Sequence, residues 1–201
     1  EGVLFSEYLR RIEGAPPLSM AAANVRNTSF LQGEISRTGA TYDLAIEGEG
    51  FFLVETPGGE RLTRAGAFTP NAAGELVTAQ GHRLLDEAGA PVFVPPDAAS
   101  VSVAADGTLA ADGRPLTRIG LYAPVDPVGL RREDGVLFRA EDGVAPGAPG
   151  RILQGYLEGS NVDPIAEVAR MVAVQRAYEM GQSFLDAENE RIRSAIRTFV
   201  K

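Results

Sequence analysis

The chain has 201 residues, 44% hydrophobic and 23% charged, the proportions of a globular protein with one large domain or a domain plus appendage. Nineteen Lys plus Arg face 27 Asp plus Glu, and the net charge of −8 argues against the basic surface that nucleic-acid binding needs. No cysteine and one histidine, His82, remove disulfides, thiolate nucleophiles and cysteine zinc sites, and make a Ser-His-Asp triad hard to build.

Residues 1–39 open with Leu4, Phe5, Tyr8, Leu9 and Ile12, whose spacing predicts a short amphipathic helix. Glu13-Gly14-Ala15-Pro16-Pro17 ends it, because proline nitrogens donate no hydrogen bond and Pro17 biases Pro16 away from helical dihedrals. From Asn24, Asn27, Thr28 and Ser29 to Gly39 neither period is visible, so the stretch reads as extended linker. No apolar run approaches the ~20 residues of a membrane-spanning helix, and no basic region followed by an apolar block marks a leader peptide. The start at Glu1, without an initiator methionine, is expected of a processed or trimmed form.

Residues 40–158 read as strands: Leu44–Ile46, Phe51–Val54, Leu62–Phe68, Leu76–Thr78, Val92–Val94 and Val101–Val103. Between and after them lie Pro57-Gly58-Gly59, Ala73-Gly74, Glu87-Ala88-Gly89 and the pairs Asp106-Gly107, Asp112-Gly113, Asp134-Gly135 and Asp142-Gly143. Asp-Gly tolerates the positive φ angles of tight hairpins. The pattern predicts a mainly β chain with a compact antiparallel domain, sandwich-like or barrel-like.

Residues 159–201 change period. Ser160 or Asn161 can cap a helix whose first turn holds Asp163 and Pro164. Met171, Tyr178, Leu185, Ile192 and Phe199 recur every seven residues, with Val174 and Ala195 at intervening core positions. Gly181 and Glu188 interrupt that seam. Asp163 and Glu167 near one end, with Arg193, Arg197 and Lys201 near the other, suit the helix dipole.

So long a helix exceeds what the β domain can cover and is expected to project. A lone helix is marginal in water, and the stretch around Tyr8 is too brief to shield the seam. The expected cover is another chain or a segment ahead of Glu1. The candidate interaction residues are Met171, Val174, Tyr178, Leu185, Ile192 and Phe199.

Other motifs read as structure. Gly48-Glu49-Gly50 precedes a strand rather than the helix a phosphate loop requires. The segment from Asp106 to Gly113 lacks alternating oxygen ligands for calcium. The acidic pairs Asp86-Glu87, Glu133-Asp134 and Glu141-Asp142 adjoin turns, where carboxylates are usually solvated, and His82 reads as a solvated loop residue. No catalytic residue, cofactor or metal site is expected.

Gln32-Gly33-Glu34-Ile35-Ser36-Arg37-Thr38-Gly39 and Tyr42-Asp43-Leu44-Ala45-Ile46-Glu47-Gly48-Glu49-Gly50-Phe51-Phe52 begin a series of ordered blocks. Leu62–Phe68, Gly74–Thr78, Leu157-Glu158-Gly159-Ser160-Asn161-Val162 and Gln175-Arg176-Ala177-Tyr178-Glu179 continue it. Together they resemble the flagellar basal-body rod and hook protein family, and the Leu-Glu-Gly-Ser-Asn form points to a proximal-rod member, with a distal-rod member as the alternative. The resemblance implies a non-enzymatic structural subunit of the flagellum that stacks into a helical tube and transmits motor torque. It implies other rod proteins and copies of itself as partners, no small-molecule substrate, and type III export into the periplasm-spanning basal body without a cleaved signal peptide.

It further implies an N-terminal helix packed on the C-terminal one. The block for that helix does not appear in residues 1–39, which would then be the extended connection. Two other readings stay open on the residues alone. One is a secreted carbohydrate-active or carbohydrate-binding β module with a helical oligomerisation tail. The other is a chaperone-like partner in export.

Overall fold

Four consecutive apolar residues, Phe51 to Val54, can all be buried only in a strand covered on both faces. The computed structural model describes residues 2–10, 18–27 and 30–199, with side chains from residue 30 onward except Ala195, Thr198 and Phe199. It places the four in and beside strand Phe52–Thr56, with exposures of 0 to 7%. Side chains alternate across the pleat. Phe52 and Val54 enter a core with Leu44, Ile46, Leu84, Leu109 and Ile152, while Phe51 and Leu53 join Leu62, Leu85 and Tyr122.

That strand is the fourth of seven in an antiparallel sheet. The order is Leu130–Glu133, Leu137–Ala140, Gly59–Thr63, Phe52–Thr56, Arg83–Leu84, Leu76–Val77 and Thr69–Pro70. A three-stranded sheet, Val101–Val103, Thr108–Ala111 and Arg114–Arg118, and pairs such as Leu44–Glu47 with Arg151–Gln154 accompany it. The architecture is mainly antiparallel β with one long C-terminal helix, and none of these sheets closes into a barrel.

Turn chemistry fixes the hairpins. Asp112 and Gly113 have φ of 48° and 74° between paired residues Ala111 and Arg114, the left-handed pair a two-residue turn demands. The Asp112 carboxylate accepts from the Ser100 amide at 2.8 Å, and that bond holds its carboxyl below the ordinary range. Gly66 serves a different need. Its carbonyl accepts from the Leu44 amide at 2.9 Å, and a Cβ there would lie 1.6 Å from the Leu44 carbonyl oxygen.

Several expectations need correcting. Gly2–Arg10 is a strand, paired antiparallel with Leu18–Asn27, rather than a helix over Leu4, Phe5, Tyr8 and Leu9. A helix so short is poorly stable alone, whereas pairing gives the backbone cross-strand partners. Ile12 and the stop signal Glu13–Pro17 lie outside the described residues, as do Thr28 and Ser29. The linker reading is corrected for Leu18–Asn27 and for Ile35–Arg37, both of which are strands. Val92 and Val94 are buried, but that run forms only isolated bridges, Phe93 to Glu75 and Pro91 to Leu85. Strand Gly59–Thr63 ends before Phe68, because Arg64, Ala65 and Gly66 turn towards other partners.

The chain divides into two units, Glu1–Asn161 and Val162–Lys201. The second contains helix α1, Pro164–Phe199, whose 36 residues span about 54 Å. Its cap is Asp163 rather than Ser160 or Asn161: the carboxylate accepts from the amides of Ile165 at 2.9 Å and Ala166 at 3.3 Å. Pro164 follows at the first helical position, where no amide hydrogen is missed.

Gly66→Ala is expected to destabilise the β unit by about 2–4 kcal/mol, since backbone rather than a flexible side chain occupies the space. A urea midpoint unchanged from the parent protein would contradict this.

Candidate assembly interface

The segments by which the chain enters and leaves its β unit lie side by side. Ile35–Arg37 pairs antiparallel with Tyr156–Glu158, setting Arg37 against Tyr156 and Ile35 against Glu158. The Gly159 amide donates to the Glu34 carbonyl at 2.9 Å, and Asn161 Nδ2 donates to the Leu31 carbonyl at 2.7 Å. At the other end the Thr38 and Gly39 amides both donate to the Gly155 carbonyl, at 2.8 and 3.0 Å.

One ion pair locks this ladder to the core. Arg64 Nε donates to Glu158 Oε2 at 2.8 Å, and Glu158 Oε1 accepts from the Gly33 amide at 2.8 Å. Arg64 Nη2 reaches the carbonyls of Gly48 at 3.0 Å and Ile46 at 3.3 Å, with the guanidinium 5.9 Å from the centre of the Phe51 ring. Gln32 adds two bonds, donating to the Ile46 carbonyl at 2.7 Å and accepting from the Gly48 amide at 3.1 Å. The Arg64 and Glu158 side chains are only 18% and 8% exposed. A charge pair that dry is tolerated when its remaining donors and acceptors are satisfied, as they are here. Phe30 anchors the entering arm on Phe51 and Phe138, with ring centres 6.2 and 6.0 Å away.

The sequence-derived interaction residues all fall on α1. Met171, Val174, Tyr178, Leu185 and Ile192 are exposed by 63, 54, 66, 62 and 53%, and the Phe199 side chain lies outside the described residues. Val168 and Ile196, 56 and 57% exposed, extend the same face by helical spacing. Counting by sevens missed these two. It also missed Met180 and Phe184, 68 and 66% exposed, which a turn of about 100° per residue carries to the opposite side. A helix apolar on two faces is suited to burial from two sides. Counting by 3.6 along the sequence would have found them.

The other sequence candidates have structural partners. Asp86 accepts from the Ala88 and Ala90 amides and from the Thr117 hydroxyl, while Glu87 pairs with Arg118. Glu133 meets Arg61 and Arg139, and Glu141 meets Arg131. The loop Gly48-Glu49-Gly50 leads into strand, and its Gly48 amide is taken by Gln32. His82 is half-buried, its carbonyl accepting from the Thr78 amide, rather than fully solvated as the sequence suggested. Among the described residues no group of three or more His, Asp or Glu could hold a metal.

Two family models match the chain. Residues 45–111 match the flagellar hook protein FlgE/F/G D1 domain, and residues 153–198 match the C-terminal region of the flagellar basal-body rod FlgEFG proteins. The chain is 37% identical over 194 residues to the flagellar basal-body rod protein FlgF of Caulobacter vibrioides, covering 96% of this chain and 79% of that protein. It is 34% identical over 209 residues to FlgF of Mesorhizobium japonicum, covering 98% and 83%. The chain belongs to the flagellar basal-body rod protein FlgF family. FlgG of Agrobacterium fabrum is similar too, 33% identical over 190 residues, with 86% and 70% covered. Within this FlgF-family chain, Arg64 lies in the first matched region and Glu158 in the second, so their ion pair joins the two.

Glu158→Gln keeps the shape of the side chain and removes its charge. Hydrogen exchange at residues 33–37 and 156–159 is expected to quicken about 10- to 100-fold, the effect of weakening bonds to a charged group. Exchange in Phe52–Thr56 should be unchanged. Uniform quickening, or none, would contradict the assignment of the pair to this ladder.

Proposed function

We propose that this chain is a structural subunit of the bacterial flagellar basal-body rod, in its proximal part, and that it works mechanically rather than by catalysis. The observation that carries this reading is the run of exposed apolar side chains along α1, from Val168 through Ile196. Each stabilises by about 1.5–3 kcal/mol when buried, so stacked helices gain strongly from association. The relatives named above are rod proteins by name, which supports the same reading.

In this account residues 1–39 connect, residues 40–158 set lateral contacts, and residues 159–201 pack in the rod core. Met171, Val174, Tyr178, Leu185, Ile192 and Phe199 line one face of that packing, and Met180 and Phe184 serve a second neighbour. The partners are other rod proteins and further copies of the chain, joined head to tail by heterologous contacts that generate a helical tube. The subunit sits in the periplasm-spanning rod after export without a cleaved signal peptide. A single linker would let the β domain swivel under torque. Two arms tied through Arg64 and Glu158 resist that rotation. The carbohydrate reading loses its motivation, since its acidic pairs are occupied by arginines and turn amides.

Leu185→Asp combined with Ile192→Asp is expected to remove about 3–6 kcal/mol of packing per subunit. Motility and rod assembly should be lost while circular dichroism of the β unit stays as in the parent. Normal swimming of that strain would overturn the proposal.

A further inference from the structure

The exposed hydrophobic side chains of residues 30–161 are not scattered. Five of the seven large ones fall in two patches. One is a knob on the loop that follows strand Tyr122–Pro124, with Val125 and Val128 exposed by 62 and 92%. The other rims a groove of about 280 Å³ lined by Phe30, Leu31, Phe51, Arg132, Val136 and Phe138, with Leu31 78% and Val136 45% exposed. Patches of this kind on an otherwise polar surface mark contact sites.

Their placement is complementary. Strands Leu130–Glu133 and Leu137–Ala140 form a hairpin at one edge of the seven-stranded sheet. The knob precedes its first strand, and Val136 stands at its turn, so knob and groove occupy opposite ends of one element. The knob is pre-shaped: Asp126 Oδ1 accepts from the Val128 amide at 2.9 Å, and Pro127 restricts the loop.

Charge follows the same polarity. Arg131 and Arg139 are held by acids of their own hairpin, and Glu133 is shared with Arg61. Arg132, at the groove, donates only to the Gly135 carbonyl and has no ion-pair partner among the described residues. Asp126 beside the knob, and Asp142 against Gly129, likewise have none there.

We infer that the knob Val125–Val128 of one copy docks in the Phe30–Leu31–Val136–Phe138 groove of the next copy, with Asp126 facing Arg132. This inference rests on the rod reading and supplies its lateral contact. Because the two surfaces differ and lie at opposite ends, the contact is heterologous and propagates along a stack instead of closing a twofold dimer. The patch is small, so it acts only where packing of α1 already holds copies at high effective concentration. The charge pair sets register more than affinity.

The absence of cysteine from the chain makes a direct test possible. The full-length protein carrying Val128→Cys and Val136→Cys is produced in motile cells, and isolated basal bodies are oxidised with diamide. Both sites are exposed, so folding is not at stake. The expected result is a ladder of disulfide-linked dimers and higher multimers from the double variant, and no ladder from either single variant. Protein present in basal bodies without a ladder overturns the docking inference, as does a cross-link to a different rod protein. Protein missing from basal bodies overturns the rod reading itself, and the inference with it.

Discussion

The Arg64–Glu158 pair is the constraint on which the rest of this structure depends. Glu158 belongs to the strand by which the chain leaves its β unit, and its second oxygen takes the amide of Gly33 on the arm by which the chain enters. Arg64 then spends its remaining donor on carbonyls at the end of strand Leu44–Glu47. One salt bridge thereby fixes both arms to each other and to the core. Burial makes the arrangement all-or-none, because losing either partner leaves the other charged and poorly solvated.

The two units dispose of apolar surface in opposite ways. In the first, Phe51 to Val54 fill both faces of a central strand, and Leu44, Ile46, Leu84 and Ile152 are at most 2% exposed. That unit hides its main apolar strand without help. In α1, side chains as large as Met171, Tyr178, Met180 and Phe184 are more than 60% exposed. Propensity, the Asp163 cap and ion pairs such as Arg170–Glu167 shape a helix but supply little packing energy. The missing stabilisation has to come from association, which is how a rod subunit would use it.

Legibility from sequence followed the range of the interaction. The long helix was readable because seven-residue recurrence of Met171, Tyr178, Leu185 and Ile192 is local and repeated. The hairpin at Asp112-Gly113 was readable because positive φ restricts the residue types that fit. Strands of two or three residues, such as Arg83–Leu84 and Thr69–Pro70, are shorter than any alternation that could announce them. The N-terminal hairpin was missed because Leu4, Phe5, Tyr8 and Leu9 satisfy a helical count equally well, and only pairing with Leu18–Asn27 decides. The ion pair was invisible: its partners stand 94 residues apart, and no periodicity connects them. Likeness to the rod family drew attention to the blocks containing Gln32, Gly33, Arg64, Gly66 and Glu158, and the structure gives the physical reason those blocks meet.

The central claim is that the apolar face of α1 is exposed in the single subunit and buried in the assembled rod. Ile192→Cys, in a chain with no other cysteine, reports this directly when maleimide labelling of the purified protein is compared with labelling of intact basal bodies. The account predicts rapid modification of the free subunit and at least about tenfold protection in the rod, the consequence of removing a site from solvent by packing worth 1.4 kcal/mol or more. Equal labelling in both states would contradict it.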